Sequence, residues 1–166
     1  MIIGFFDESA PQTTANTLRL WSFKKPVIRK NTTKLRADTF GFYAFKGKGT
    51  VNTYTNSKQE SVMDFLREIR HNNPFNYIMM IQDNFSAHCT ENIAITAEIL
   101  DIELVFLPPY SPRLNPIELI WKSIKKVMSR KFVKEQEKIV DLVRTNFNDL
   151  SKSRSFYINL VETFAN

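Results

Sequence analysis

The chain has 166 residues, 43% of them hydrophobic and 14 of them Phe, which is enough for one domain with a substantial core. Its single cysteine, Cys89, excludes an internal disulfide, and the lack of any Cys/His cluster excludes a structural zinc site and fits a reducing, cytoplasmic setting. The net charge is +6, and no apolar stretch is long enough to span a bilayer, so a polyanion is a better-matched partner than a membrane.

The apolar run Ile2-Ile3-Gly4-Phe5-Phe6 has no basic segment before it and is stopped by Asp7 and Glu8, so residues 2–7 read as a buried strand rather than a signal peptide. Thr17 to Phe23 alternates enough for a second strand, and residues 24–37 form a basic, irregular connection. Residues 40–45 and 50–55 read as two strands joined by a hairpin turn at Lys46-Gly47-Lys48-Gly49. From Ser57 the period becomes helical, with Val62, Phe65, Leu66 and Ile69 on one face, and Asn72-Asn73-Pro74 ends the helix. Residues 77–82 are almost wholly apolar, as in a strand covered on both faces. A helix over about 89–100, a strand over 103–107 and the stiff connector Pro108-Pro109-Tyr110-Ser111-Pro112 follow. Helices are expected from Pro116 to about Lys131, over about 135–149, and as a short tail at 155–164. This order predicts an α/β fold, a mixed sheet with helices on its faces and a helical C-terminal tail.

The positive charge is concentrated. Residues 9–37 hold seven basic side chains and no acid (Arg19, Lys24, Lys25, Arg29, Lys30, Lys34, Arg36), and residues 119–134 hold six and no acid (Lys122, Lys125, Lys126, Arg130, Lys131, Lys134). Either run alone is compatible with a solvated face; two acid-free runs flanking candidate metal ligands favour nucleic acid.

Those candidate ligands are Asp7 and Asp83, each closing an apolar strand, and Glu118, near the head of a helix. Each has an ordinary alternative. Asp7 can end a strand in a turn, Asp83-Asn84 can be a turn or a helix cap, and Glu118 can complete a capping box with Asn115 or pair with Lys122. Three carboxylates in one pocket would offer the all-oxygen donor set that suits hard divalent ions acting on a phosphodiester. On the helix after Pro116, Ile117, Ile120, Trp121, Ile124, Val127 and Met128 share an apolar face, while Glu118, Lys122, Lys125 and Ser129 form a polar stripe beside it.

Three blocks resemble those of a DDE transposase of the mariner superfamily, in its prokaryotic insertion-sequence branch. They are Asp7-Glu8-Ser9 after the first strand, Gln82-Asp83-Asn84-Phe85-Ser86-Ala87-His88, and Leu107-Pro108-Pro109-Tyr110-Ser111-Pro112-Arg113-Leu114-Asn115-Pro116-Ile117-Glu118-Leu119-Ile120-Trp121. Between Asp83 and Glu118 lie 34 residues, the spacing of that group with a final Glu.

The resemblance implies a ribonuclease H-like catalytic domain. It gives the metal-ligand role to Asp7, Asp83 and Glu118, with Glu8 the rival at the first position, since adjacent strand residues face opposite sides. It places Asn84, His88 and Asn115 near the site as supporting groups, although a lone His such as His88 is otherwise more often structural. Trp121 reads as core. Arg113 beside the site, with Lys122, Lys125 and Lys126 on the helix, are the DNA-contact candidates.

Two Mg2+ or Mn2+ ions are the implied cofactors. They would support cleavage at transposon ends by water and joining to target DNA, at a TA dinucleotide, by the freed 3′-hydroxyl. The implied partners are both DNAs and a second copy of the chain on them, in a prokaryotic cytoplasm at the nucleoid. Related full-length proteins carry helix-turn-helix domains ahead of this one. With Asp7 so near the start, a split reading frame with a separate or frameshift-fused partner, a decayed fragment and an expressed catalytic domain all stay open. The rival readings are a non-catalytic nucleic-acid-binding remnant and another ribonuclease H-like nuclease.

Overall fold

A computed structural model describes residues 1–14, 23–24, 31–84, 90–109, 111–153, 155 and 158. The expected strand at 17–23 and most of the helix at 155–164 lie outside the described residues. Among the described residues, five strands and four α-helices occur in the order β1 (Ile2–Ser9), β2 (Asp38–Ala44), β3 (Thr50–Tyr54), α1 (Gln59–Asn72), β4 (Ile78–Gln82), α2 (Glu91–Ile99), β5 (Ile102–Phe106), α3 (Ile117–Met128) and α4 (Gln136–Ser151). A short 3-10 turn, Pro112–Leu114, leads into α3.

The strands form one sheet in the order β3-β2-β1-β4-β5. β2 is antiparallel to both β1 and β3, whereas β4 is parallel to β1 and to β5. The β2–β3 hairpin has Gly47 at φ +116°, a backbone state that side chains rarely adopt, and a Cβ there would meet Ile2 Cδ1 at 2.5 Å. The parallel strands are connected through α1 and α2, the helical crossovers that such pairing requires.

Alternation along the strands divides the core between the two faces of the sheet. Ile2, Phe6, Phe40, Phe42, Ile78 and Met80 pack against Val62, Phe65, Leu66 and Ile69 of α1 and Ile93 and Ala97 of α2. Phe5 and Tyr43, on the opposite face, pack against Ile117, Ile120, Trp121 and Ile124 of α3 and Ile139, Val143 and Phe147 of α4. The chain thus has a helix layer on each side of its sheet, the expected α/β arrangement. β1 extends two residues beyond the expected end, to Ser9, because Glu8 and Ser9 continue pairing with Phe40 and Thr39.

Candidate active site

The register of β1 on β4 places two of the three carboxylates side by side. Phe5 is paired with Ile81, and two residues further along each chain stand Asp7 and Asp83. Two residues is one strand repeat, so Asp7 shares the face of Phe5, toward α3. Glu8 lies on the opposite face, where the hydroxyl of Ser57 donates to its carboxylate. The two adjacent acids therefore serve opposite sides of the sheet.

Glu118 reaches the same place from α3. Ile117, Ile120, Trp121 and Ile124 are buried, and that anchored face sets the rotation of the helix so that Glu118 is exposed at its head. Asp7, Asp83 and Glu118 line one cleft of about 440 Å3, with Asn84 and Asn115 beside them and Pro108, Pro109 and Pro112 in its wall. A larger groove, about 660 Å3 between α2 and β5, contains none of the three carboxylates, so size does not mark the chemistry here.

Asn115 does not cap α3. The helix begins after Pro116 with no side-chain cap, and Asn115 Nδ2 instead donates to the Phe6 carbonyl at 3.3 Å. Its own backbone oxygen accepts from the Glu118 N–H at 3.2 Å. The capping-box alternative for Glu118 thus fails on the Asn115 side chain. Nor is Glu118 paired with Lys122: the ion pairs among the described residues are Arg36–Asp38, Arg67–Asp64, Lys138–Glu135 and Lys152–Asp149.

Electrostatics mark Asp7. Its carboxyl is pushed up from 3.8 to about 8, first by burial, then by the Glu118 carboxylate and also by that of Asp83. The Glu8 backbone N–H and the Trp121 indole act the other way. Like charges crowded at one point disfavour ionisation, and a cation among them would reverse the effect. The donors in the cleft are carboxylate and amide oxygens, with no Cys or His among its described lining residues, a set that fits Mg2+ or Mn2+ rather than a soft metal. As the side chains stand, no group of three or more His, Cys, Asp or Glu among the described residues forms a ready metal site.

The remaining expected residues are placed as follows. Arg113, in the 3-10 turn beside the cleft, is exposed, as are Lys122, Lys125 and Lys126 on α3. His88 lies outside the described residues, as does Tyr110 of the proline-rich connector. Trp121 is core, at 1% exposure, but its ring also stands behind Asp7, a relation that its apolar helical spacing gave no sign of.

A family model described as DDE superfamily endonuclease matches residues 3–140. The chain belongs to that family. It is 32% identical over 97 residues, 57% of this chain and 68% of the other, to the uncharacterized protein y4pE/y4sA of Sinorhizobium fredii. In fold it is similar to the Mos1 transposase of a paired-end complex with the left transposon end. The TM-score is 0.70 at 16% identity, over 96% of this chain and 51% of that one. It is also similar to the catalytic domain of Mos1 mariner transposase, with a TM-score of 0.65 at 14% identity over 96% of this chain and 75% of that one. The chain thus spans about half of the longer Mos1 protein, and the shared fold is the ribonuclease H-like one of the catalytic domain. In this member of the family, the cleft between β1, β4 and α3 is where the three expected carboxylates meet.

Proposed function

We propose that this DDE superfamily endonuclease is the catalytic part of a transposase of the mariner type, cutting DNA at transposon ends and joining the freed ends to target DNA. The observation that carries the reading is the cleft itself, where Asp7, Asp83 and Glu118 arrive from separate elements beside an exposed basic helix. The Mos1 paired-end complexes that share the fold were solved with Mn and with Mg, which supports a divalent ion here. Bound at the three carboxylates, such ions would activate an attacking oxygen and stabilise the leaving one.

The chain's own groups divide the work. Asp7, Asp83 and Glu118 hold the ions, Asn84 supplies a neutral polar contact beside them, and Asn115 holds the backbone next to Asp7 through the Phe6 carbonyl. Lys122, Lys125, Lys126 and Arg113 hold the phosphate backbone in register with the cleft without reading sequence. Water serves as nucleophile for cleavage and a DNA 3′-hydroxyl for joining, so no covalent enzyme intermediate is required. Two copies acting on two DNA ends, a helix-turn-helix partner that selects those ends, and a prokaryotic insertion-sequence origin complete the proposal.

The test is a DNA carrying the element's own terminal repeats, incubated with the chain and Mg2+ or Mn2+. Cleavage followed by joined product supports the reading. Binding without either product in any divalent metal favours a non-catalytic remnant, and cleavage without joining favours a simple nuclease.

A further inference from the structure

The residue opposite Asp7 in the β1–β2 ladder is Gly41. A Cβ built on Gly41 would stand 2.6 Å from Trp121 Cζ2 and 2.8 Å from Phe147 Cε2, so the indole fills the space a side chain would need. Trp121 stacks on Phe147 with ring centroids 5.3 Å apart and is 1% exposed. Packing alone would be served as well by an all-carbon ring. The indole adds one polar atom, Nε1, which is buried and meets no acceptor in hydrogen-bond geometry. A buried donor left in that state is unfavourable, so its presence asks for a use.

Cross-strand partners present their side chains on the same face of the sheet, so the carboxyl next to the ring that fills the Gly41 space is that of Asp7. A neutral N–H fixed on a buried helix face has an advantage over Lys or Arg here: it steadies a carboxylate without adding a positive charge that would compete with a metal ion.

We propose that Trp121 is a positioning residue for Asp7, its buried indole N–H poised to donate to one oxygen of the ionised carboxylate while the other serves the cleft shared with Asp83 and Glu118, with Gly41 providing the room. The proposal rests on the metal-dependent reading above. It assigns a role to a residue otherwise accounted for by packing, and it makes Gly41 part of the same device.

Replacing Trp121 with 3-benzothienylalanine keeps the bicyclic shape and exchanges the N–H for sulfur. Mn2+ binding is read from the electron paramagnetic resonance signal of the free ion, alongside the Mn2+ concentration that half-saturates DNA nicking. Both are expected to weaken on the order of 10-fold, the usual effect of removing a hydrogen bond to a metal-binding side chain. Thermal stability should be unchanged or higher. The simpler Trp121→Phe should follow the analogue, and if it fails to fold the analogue carries the test.

Unchanged Mn2+ binding and half-saturation in the analogue, with a working wild-type chain, overturn the role of Trp121 alone. A wild-type chain that neither binds Mn2+ nor nicks DNA overturns the metal-dependent reading and this inference with it.

Discussion

Asn115 donates its side-chain amide to the backbone carbonyl of Phe6, at 3.3 Å, and so ties the residue before Asp7 to the chain three residues before Glu118. The same Asn115 accepts the Glu118 N–H through its backbone oxygen. One residue thereby couples the strand that carries the first carboxylate to the helix that carries the third. Its Oδ1 is buried without a partner, so the contact is a single pin rather than a network. Asn115→Ala should lower stability by about 1–2 kcal/mol, the range for a buried hydrogen bond and its orphaned partner. Nicking should fall by more than the unfolded fraction accounts for. Urea unfolding and nicking rates on the same preparation check this, and an unaltered rate would show that the pin does not position the site.

The pH dependence of the metal-free chain follows from Asp7, whose folded value of about 8 lies above the ordinary 3.8. Between those values the folded chain keeps a proton that the unfolded chain has released. The contribution is therefore fully present below about pH 4 and is lost as pH rises toward about 8. Thermal unfolding in a chelator should show this decline, and Asp7→Asn should flatten it. Added Mn2+ displaces the proton, so the rise in Tm that it produces should grow from pH 6 to pH 8, as expected on the order of one proton released per ionised ligand.

Asp7 and Glu8 are adjacent in sequence and opposed in space, and their substitutions should separate accordingly. Asp7→Asn should reduce nicking to background. Glu8→Gln should leave the rate nearly unchanged and reduce stability by about 1 kcal/mol, because Ser57 then donates to a neutral acceptor. Equal losses in both variants would show that the face assignment does not govern activity.

The exposed lysines on α3 should act through charge and not through sequence. Binding to random duplex DNA should weaken linearly in log salt, and Lys122→Ala, Lys125→Ala and Lys126→Ala should each reduce the slope by about 1 if the side chain contacts a phosphate. The measurement is fluorescence anisotropy across a salt series. A slope unmoved by the triple substitution would place the DNA elsewhere.

Arg70 offers a control for stability without function. It donates to the carbonyls of Asn73, Asn76, Leu100 and Asp101, joining the end of α1 to the turn between α2 and β5. Arg70→Ala should cost about 1–2 kcal/mol by urea unfolding, with nicking per folded molecule retained, since the contacts are partly solvated and remote from the cleft.

Much of the architecture was legible in the sequence because alternation and helical period are strong along this chain. Ile78 and Met80 pack on one face of β4 and Ile81 on the other, as a doubly covered strand requires. The period-two rule also separates Asp7 from Glu8. What could not be read was the use of side chains between elements. Asn115 fits a helix cap by position, and only the approach of β1 turns its amide to Phe6. Trp121 fits a core position by spacing, and only the Asp7–Gly41 pairing reveals that the ring stands behind the acid. Both depend on strand register and helix rotation, which are set by tertiary packing.

The proposed function requires Asp7, Asp83 and Glu118 to act together on a DNA phosphodiester with a divalent ion. Its most direct test is the nicking rate of the purified chain in Mg2+ or Mn2+, compared with Asp83→Asn and Glu118→Gln of equal Tm and circular dichroism. Loss of metal-dependent nicking in both folded variants is the predicted result. Full activity in either one would contradict the account.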